Sequence, residues 1–410
     1  MKIWLKTQPN KVFRVDLYYP FRLELQLIMF TRLYIHIPYC RQKCPYCAFF
    51  SQEQTGDDLA LYAELLRQEM SLAAENSAQH HQLDSVYFGG GTPSLMDPHQ
   101  VEGLIQQARD LFGLAAKAEV TLEANPGTVA FQRLADFRQA GITRLSLGIQ
   151  SFDDRMLRSL GRIHTAQQAR EAFTEARRAG FENIGIDLIH ALPGQTGAMW
   201  LAELQQALQL SPEHVSIYGL TIEDDTPFAE QFADDSPLLP DEDLAAEMFE
   251  MADDLLETSG YEHYEIANYA RAGFRSRHNS GYWKRDGYLG LGAGAHSFLR
   301  DAGHGTRFSN VADLEEYRTS LDNGVLPRRD VMPLSRPDAM AEHLFLGLRM
   351  SAGVQPNVFE REFGTRLQDV FGPKLTMLQG QGLLTETRSG ICLTRRGMLL
   401  SNRVFQEFLP

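Results

Sequence analysis

No stretch of this 410-residue chain is apolar for the roughly 20 residues that a membrane-spanning helix requires. Mean hydropathy, at −0.29, agrees, so a helical membrane protein is excluded. Cysteine is scarce, at four residues, which excludes the disulfide frameworks that hold small secreted domains together. No basic block marks a phosphate-backbone footprint, so nucleic acid is not an expected partner. A secretory signal is lacking as well. Residues 1–28 mix Lys2, Lys6, Lys11, Arg14 and Arg22 with scattered apolar positions, with neither a continuous apolar core nor a small-residue cleavage site. Met29 stands just before the first clean strand, so translation from Met29, with 1–28 as a mis-assigned extension, is the favoured reading. There is no internal repeat and no low-complexity segment.

The net charge of −14 has a local origin. Between Glu223 and Glu257 there are 14 acidic residues and no Lys or Arg, while elsewhere acid and base balance. Such a run reads as a solvated loop and helix face. The length suggests two to three domains, enough to bury a large core without staples.

From Leu33 onward, short β-rich runs alternate with helix-length amphipathic segments. The runs are 33–37, 85–88, 119–124, 144–150, 184–189 and 214–220. Helical patterns fill Leu59–Ser71, Pro98–Leu111, Phe131–Ala140, Thr165–Ala179 and Ala198–Gln209. Strands reading as apolar on both faces, alternating with helices, argue an α/β fold with a parallel sheet covered by helices. Six units suit an open doubly wound sheet or a barrel, and ligand sites belong at the C-terminal strand ends in both. The pattern alone does not choose. After Pro240 it changes: a helix over 241–258, an aromatic and Gly-rich stretch to Phe298, helix plus loop over 313–337, then helices and a hairpin at 383–394 that resemble a winged helix. The expected division is 1–28, an extension; 29–260, a core domain; and 261–410, a C-terminal α+β region.

Three of the four cysteines fall in Cys40-Arg-Gln-Lys-Cys44-Pro-Tyr46-Cys47, on the loop leaving the first strand. Clustered thiols in a long chain suggest a metal or iron–sulfur centre in a reducing compartment, hence the cytoplasm. A structural zinc wants four ligands, which His36 or Cys392 would have to complete. A 4Fe–4S cube on three cysteines leaves one iron open. Gly89-Gly90-Gly91-Thr92-Pro93 follows the second strand, where glycine permits close backbone approach to a ligand. Glu123 ends the third strand and Gln150 the fourth. Arg162 follows the fourth strand, and Asp187 lies in the fifth, where a buried carboxylate needs partners.

The CxxxCxxC spacing, with an aromatic before the last cysteine, resembles the radical SAM superfamily. That resemblance implies a partial six-unit (β/α) barrel, a 4Fe–4S cluster on Cys40, Cys44 and Cys47, and S-adenosylmethionine chelating the open iron. The segments LYIHIPYC, VYFGGGTPSLM, LEANPGT, RLSLGIQSF with LGRIH, and IDLIHALPGQT resemble the coproporphyrinogen dehydrogenase-like branch. By position, Tyr34, Tyr46, Gly90, Gly91, Thr92, Glu123, Gln150, Arg162 and Asp187 match that branch's cofactor contacts. Oxygen-independent coproporphyrinogen III dehydrogenases carry a fourth cysteine two residues after the third. Here that residue is Phe49, and the chain has instead the HNxxYW element His278-Asn279-Ser280-Gly281-Tyr282-Trp283. Both signs resemble the HemW-type heme chaperones. This implies heme binding and delivery to heme-requiring respiratory proteins at the membrane surface, by a monomer or heme-dependent dimer. His278 is expected as an iron ligand or a heme-contacting residue, with Tyr282 and Trp283 against the porphyrin, the alternative being a locally hydrogen-bonded His278 with Tyr282 and Trp283 in the core; His296 and His263 follow as candidates. The dehydrogenase is the alternative function.

Overall fold

The computed structural model describes residues 29–56, 58–76, 82–232 and 236–409. The extension 1–28 lies outside the described residues. Met29, the first described residue, exchanges both backbone hydrogen bonds with Arg300.

Twelve strands form one continuous sheet. The six expected strands are β1 (Arg32–Ile37), β2 (Leu83–Gly90), β3 (Leu114–Ala124), β4 (Arg144–Gln150), β5 (Ile184–His190) and β6 (His214–Gly219). They lie side by side in chain order and all run parallel. Sequential order settles the architecture. A doubly wound sheet reverses direction at a switch point, whereas unbroken order with right-handed crossovers keeps every helix on one face and curls the sheet toward a barrel.

The pairing register shows how the two faces divide. Leu33, Ile35, Val86, Phe88, Val120, Leu122, Leu145, Leu147, Ile186 and Leu188 join the buried apolar core shared with the crossover helices. Tyr34, Tyr87, Thr121, Glu123, Ser146, Asp187 and Ser216 occupy the other face in register. The expectation of strands apolar on both faces is therefore corrected. The strands alternate with period two, and the concave face is polar because it lines a cavity rather than a helix layer.

The sheet continues past the barrel at both edges. Beyond β6 lie the antiparallel strands β7 (Glu262–Glu265) and β8 (Asn268–Ala270). Beyond β1 lies a seventh parallel strand, β9 (Tyr288–Leu291), then antiparallel β10 (His296–Leu299), β11 (Thr306–Asn310) and β12 (Arg328–Pro333). The expected boundary at 260 thus does not fall at a break in the sheet. The separate second core gathers around the helices Arg336–Gly347, Pro356–Phe363 and Leu367–Gly380 and the hairpin β13 (Leu384–Thr387)/β14 (Gly390–Leu393). Among the described residues, no helix is long and apolar enough to cross a membrane.

The helix Arg277–Trp283, which carries HNxxYW, closes the barrel at the N-terminal ends of the strands. Ser276 caps it, and the buried Glu119 carboxylate of β3 accepts from the backbone N–H groups of Arg277 and His278, both at 3.1 Å. An anion at a helix N-terminus meets the orphan donors and the positive end of the dipole together. Gly281 lets Arg32 of β1 lie against the helix, because a Cβ there would require the guanidinium to move. Arg32 in turn pairs with Asp286 at 3.0 Å.

Candidate cofactor site

The loop that leaves β1 is held by a short parallel pairing of Tyr39–Cys40 with Gln52–Glu53 and by a turn in which Cys47 N–H donates to the Cys44 carbonyl at 3.1 Å. It hangs over the C-terminal ends of the barrel strands. Cys40, Cys44 and Cys47 line one open cavity of about 1290 Å³, mouth included, together with Tyr46, Gly90, Gly91, Thr92, Glu123, Gln150, Arg162 and Asp187. Residues spread across more than a hundred positions of sequence thus meet. Tyr34 is the exception: it lies deeper on the concave face, its ring stacked on Tyr87 at 6.1 Å and its hydroxyl 3.0 Å from His36 Nδ1.

Each group in the cavity is set by its neighbours. Gly90 has φ +118°, and a Cβ there would lie 2.7 Å from the His36 ring. A Cβ on Gly91 would lie 2.9 Å from Cys40 Sγ. Glycine at both positions lets the backbone run close beneath the thiols. Gln150 holds φ +69°, a strained conformation for a side-chain-bearing residue. Glu123 accepts from the Tyr87 hydroxyl at 2.7 Å and from Gly90 N–H at 3.2 Å. Burial, reinforced by the Asp187 carboxylate, pushes its pKa up to about 7. Asp187 is also raised by burial, against hydrogen bonds from Ser216 and Ser146. Burial pushes the thiols of Cys40 and Cys47 up as well, so in the absence of a metal they keep their protons.

Arg162 donates to the Gly148 carbonyl at 2.8 Å and points toward Cys44 Sγ at 3.5 Å, while its buried Nε has no hydrogen-bond partner among the described residues. A buried guanidinium with an unused donor, beside thiols, suits an anionic group in the cavity.

The structure also bears on a fourth ligand. His36 has one ring nitrogen near Tyr34 and the other 2.8 Å from the Phe50 carbonyl, and Cys392 is buried in the C-terminal hairpin opposite Thr385. No three candidate ligands converge closely enough to hold a single metal ion among the described residues. A zinc ion needs a tight tetrahedral nest, whereas a cube spreads its ligands over several irons.

Sequence reasoning missed Tyr87, Ser146 and Ser216. The signal was the alternation Ser85/Tyr87/Gly89, Thr121/Glu123 and Ser146/Gly148/Gln150, which puts polar groups on one face.

The HNxxYW element divides between two environments. His278 is fully buried, with Nδ1 2.9 Å from Ser85 Oγ and Nε2 2.7 Å from the Tyr282 hydroxyl. Burial and the Arg32 cation hold its pKa well below the ordinary value, so it is neutral. Both ring nitrogens are thus engaged in local hydrogen bonds in this arrangement. Tyr282 and Trp283 instead line a second cavity, together with His296. His263 Nδ1 lies 2.8 Å from the Asp253 carboxylate, away from both cavities.

Comparison with known proteins fits this geometry. Residues 34–207 match the radical SAM superfamily, and 334–400 match the HemN C-terminal domain. The heme chaperone HemW of Lactococcus lactis subsp. lactis is 36% identical over 376 residues, covering 92% of this chain and 96% of that one. The chain belongs to the HemW family. The HemW of Bacillus subtilis is 37% identical over 380 residues, covering 92% and 98%. Among solved structures, coproporphyrinogen III oxidase (HemN) from Escherichia coli superposes with a TM-score of 0.79 over 92% of this chain and 90% of that one. At 23% identity, that likeness speaks for the fold: a radical SAM α/β sheet with a helical C-terminal region. Membership of the superfamily implies a 4Fe–4S cluster and S-adenosylmethionine, and the thiols, the glycine cradle and the unused Arg162 donor fit both.

Proposed function

We propose that this protein binds heme and delivers it to heme-requiring acceptor proteins, respiratory enzymes at the membrane surface among them, working from the cytoplasm. Cys40, Cys44 and Cys47 would hold the cluster. Tyr46, Gly90, Gly91, Thr92, Glu123, Gln150, Arg162 and Asp187 would hold S-adenosylmethionine, with Tyr34 supporting Tyr87 from beneath. When bound, the pair supplies one-electron reductive chemistry at the sulfonium centre. The chain's own residues do the rest. Glu123 and Asp187 present negative charge to the cofactor's cationic groups, Arg162 faces its anionic end, and the glycine backbone lets it lie close to the strand tips.

The observation that carries the choice of a carrier over an oxidase is Phe49. It stands on the rim of this cavity, 64% exposed, where the oxidase branch offers a thiol. A phenyl ring neither ligates metal nor transfers hydrogen. The test pairs two anaerobic measurements on the cluster-loaded protein. Incubation with coproporphyrinogen III, reductant and S-adenosylmethionine should yield no vinyl-bearing protoporphyrinogen. Heme-loaded protein mixed with heme-depleted respiratory membranes should transfer heme. Vinyl product without transfer would establish the dehydrogenase instead. Size-exclusion chromatography with and without heme reads whether a dimer forms.

Glu123 gives a pH signature. Its folded pKa of about 7 lies above its unfolded value near 4.3. The stability it contributes is therefore present below the unfolded value and lost as pH rises through about 7, because ionisation leaves a buried charge. The cofactor's ammonium compensates that charge. S-adenosylmethionine affinity should rise by up to about tenfold per unit from pH 6 toward 7 and level off above. Calorimetric titration at pH 6, 7 and 8 measures this, and Glu123→Gln should flatten the profile.

A further inference from the structure

The HNxxYW helix sits at the N-terminal ends of the barrel strands and the cofactor cavity at their C-terminal ends, yet one strand joins them. Alternate residues of a strand stand about 7 Å apart on one face, so Ser85, Tyr87 and Gly89 form a column along β2. At its foot, Ser85 Oγ lies 2.9 Å from His278 Nδ1. In the middle, the Tyr87 ring packs against His278 at 4.9 Å and against Tyr34 at 6.1 Å. At its head, a Cβ on Gly89 would lie 2.9 Å from both tyrosine rings. The first glycine of the triplet thus makes room for the tyrosine pair, while Gly90 and Gly91 serve the cavity.

We propose that His278 and Tyr87 are positioning residues of the cofactor site, the HNxxYW helix fixing the Tyr87 ring and Tyr87 fixing the Glu123 carboxylate. The inference rests on the reading above in which Glu123 meets a cationic group of S-adenosylmethionine. Tyr87 donates to one carboxylate oxygen at 2.7 Å and Gly90 N–H to the other at 3.2 Å, so both oxygens are set before a ligand arrives. A carboxylate already oriented loses less freedom on binding. The hydroxyl is only as fixed as the ring that carries it, and His278 supplies that fixity. Its imidazole is held at both nitrogens, by Ser85 and by the Tyr282 hydroxyl at 2.7 Å, and its backbone N–H rests on Glu119 at 3.1 Å. The motif's histidine and tyrosine thereby acquire a task at the far end of the barrel.

The hydrogen bond also acts on charge. Burial and the Glu123 carboxylate hold the Tyr87 hydroxyl well above its ordinary pKa, so it remains a donor. A donor to the ionised carboxylate favours that form, and Tyr87 thus opposes the burial that protonates Glu123. The titratable groups around Glu123 are Tyr34 on β1, Tyr87 on β2, Asp187 on β5, Tyr218 on β6 and Tyr282 on the HNxxYW helix. Removing the Tyr87 hydroxyl alone leaves the others in place.

Calorimetric titration of S-adenosylmethionine into the cluster-loaded full chain at pH 6.5, 7 and 8.5 tests the proposal, with iron content matched between variants. The quantity read is the ratio of wild-type to variant affinity, in which the cofactor's own ionisation cancels. For Tyr87→Phe, losing the donor should raise the Glu123 pKa by about one unit, making the ratio about five at pH 7 and bringing it within twofold of unity at pH 8.5. His278→Ala should show the same pattern with a smaller ratio. His278→Gln, whose amide can meet both Ser85 and Tyr282, should restore most of the affinity. A ratio for Tyr87→Phe that is unity throughout, or equally large at every pH, overturns the role of Tyr87. Wild-type affinity in His278→Ala overturns the role of the helix. A wild-type protein that binds no S-adenosylmethionine, or a Glu123→Gln variant that binds it with unchanged affinity at every pH, overturns the cofactor reading instead.

Discussion

Replacing Cys40, Cys44 or Cys47 singly with alanine should abolish the broad visible absorption of the iron–sulfur cluster and bring bound iron close to zero, while Cys392→Ala should leave both unchanged. The three thiols sit on one loop over one cavity, and two of them are held protonated by burial until a metal displaces the proton. Losing one of three ligands leaves a second iron without protein support, so partial occupancy is not expected. Cys392 is enclosed in the C-terminal hairpin, its sulfur near the Gly390 carbonyl at 3.7 Å. Iron and sulfide analysis of anaerobically purified variants decides the matter. A cluster that survives Cys44→Ala, or that fails in Cys392→Ala, would overturn the ligand assignment.

The second large effect belongs to Glu342, on the helix Arg336–Gly347. Its carboxylate is 1% exposed and receives both Arg307, at 2.5 and 3.0 Å, and Arg285, at 3.2 Å. Arg285 also reaches Glu362 at 2.8 Å. This cluster fastens the second core to the edge of the sheet. Glu342→Ala would strand buried guanidinium charge, a loss of about 3–5 kcal/mol for a broken buried pair. Calorimetry should show the earliest thermal transition moving down by several degrees, with Glu342→Gln intermediate. Because the C-terminal helices have a core apart from that of the sheet, that transition reports the junction rather than the whole chain. An unchanged first transition in Glu342→Ala would show that the junction does not depend on this cluster.

How much of this was legible in the sequence depended on distance along the chain. The six barrel strands and their helices announce themselves through composition and turns, and their bounds hold to within a few residues except for β3, which begins at Leu114 rather than near 119. Most of the candidate cofactor residues were legible because they lie near or just past the C-terminal ends of strands, and strand ends converge in any parallel sheet. β7 to β12 were not, since strands of three to six residues interrupted by glycine carry too little periodicity. His278 shows the limit most clearly. Its motif is visible in the sequence, but its partner Ser85 is 193 positions away and Glu119, which anchors its backbone, 159. A histidine's role follows from what occupies its two nitrogens, which spacing does not record.

The contact between Gly281 and Arg32 couples two positions that lie far apart in the sequence. A side chain at 281 would have to displace the Arg32 guanidinium, and moving it away would in turn leave Asp286, which burial already pushes toward protonation, without its cation. A change at any one of the three positions therefore bears on the other two. A designer grafting the HNxxYW helix onto another barrel would have reason to carry the arginine and the aspartate with it.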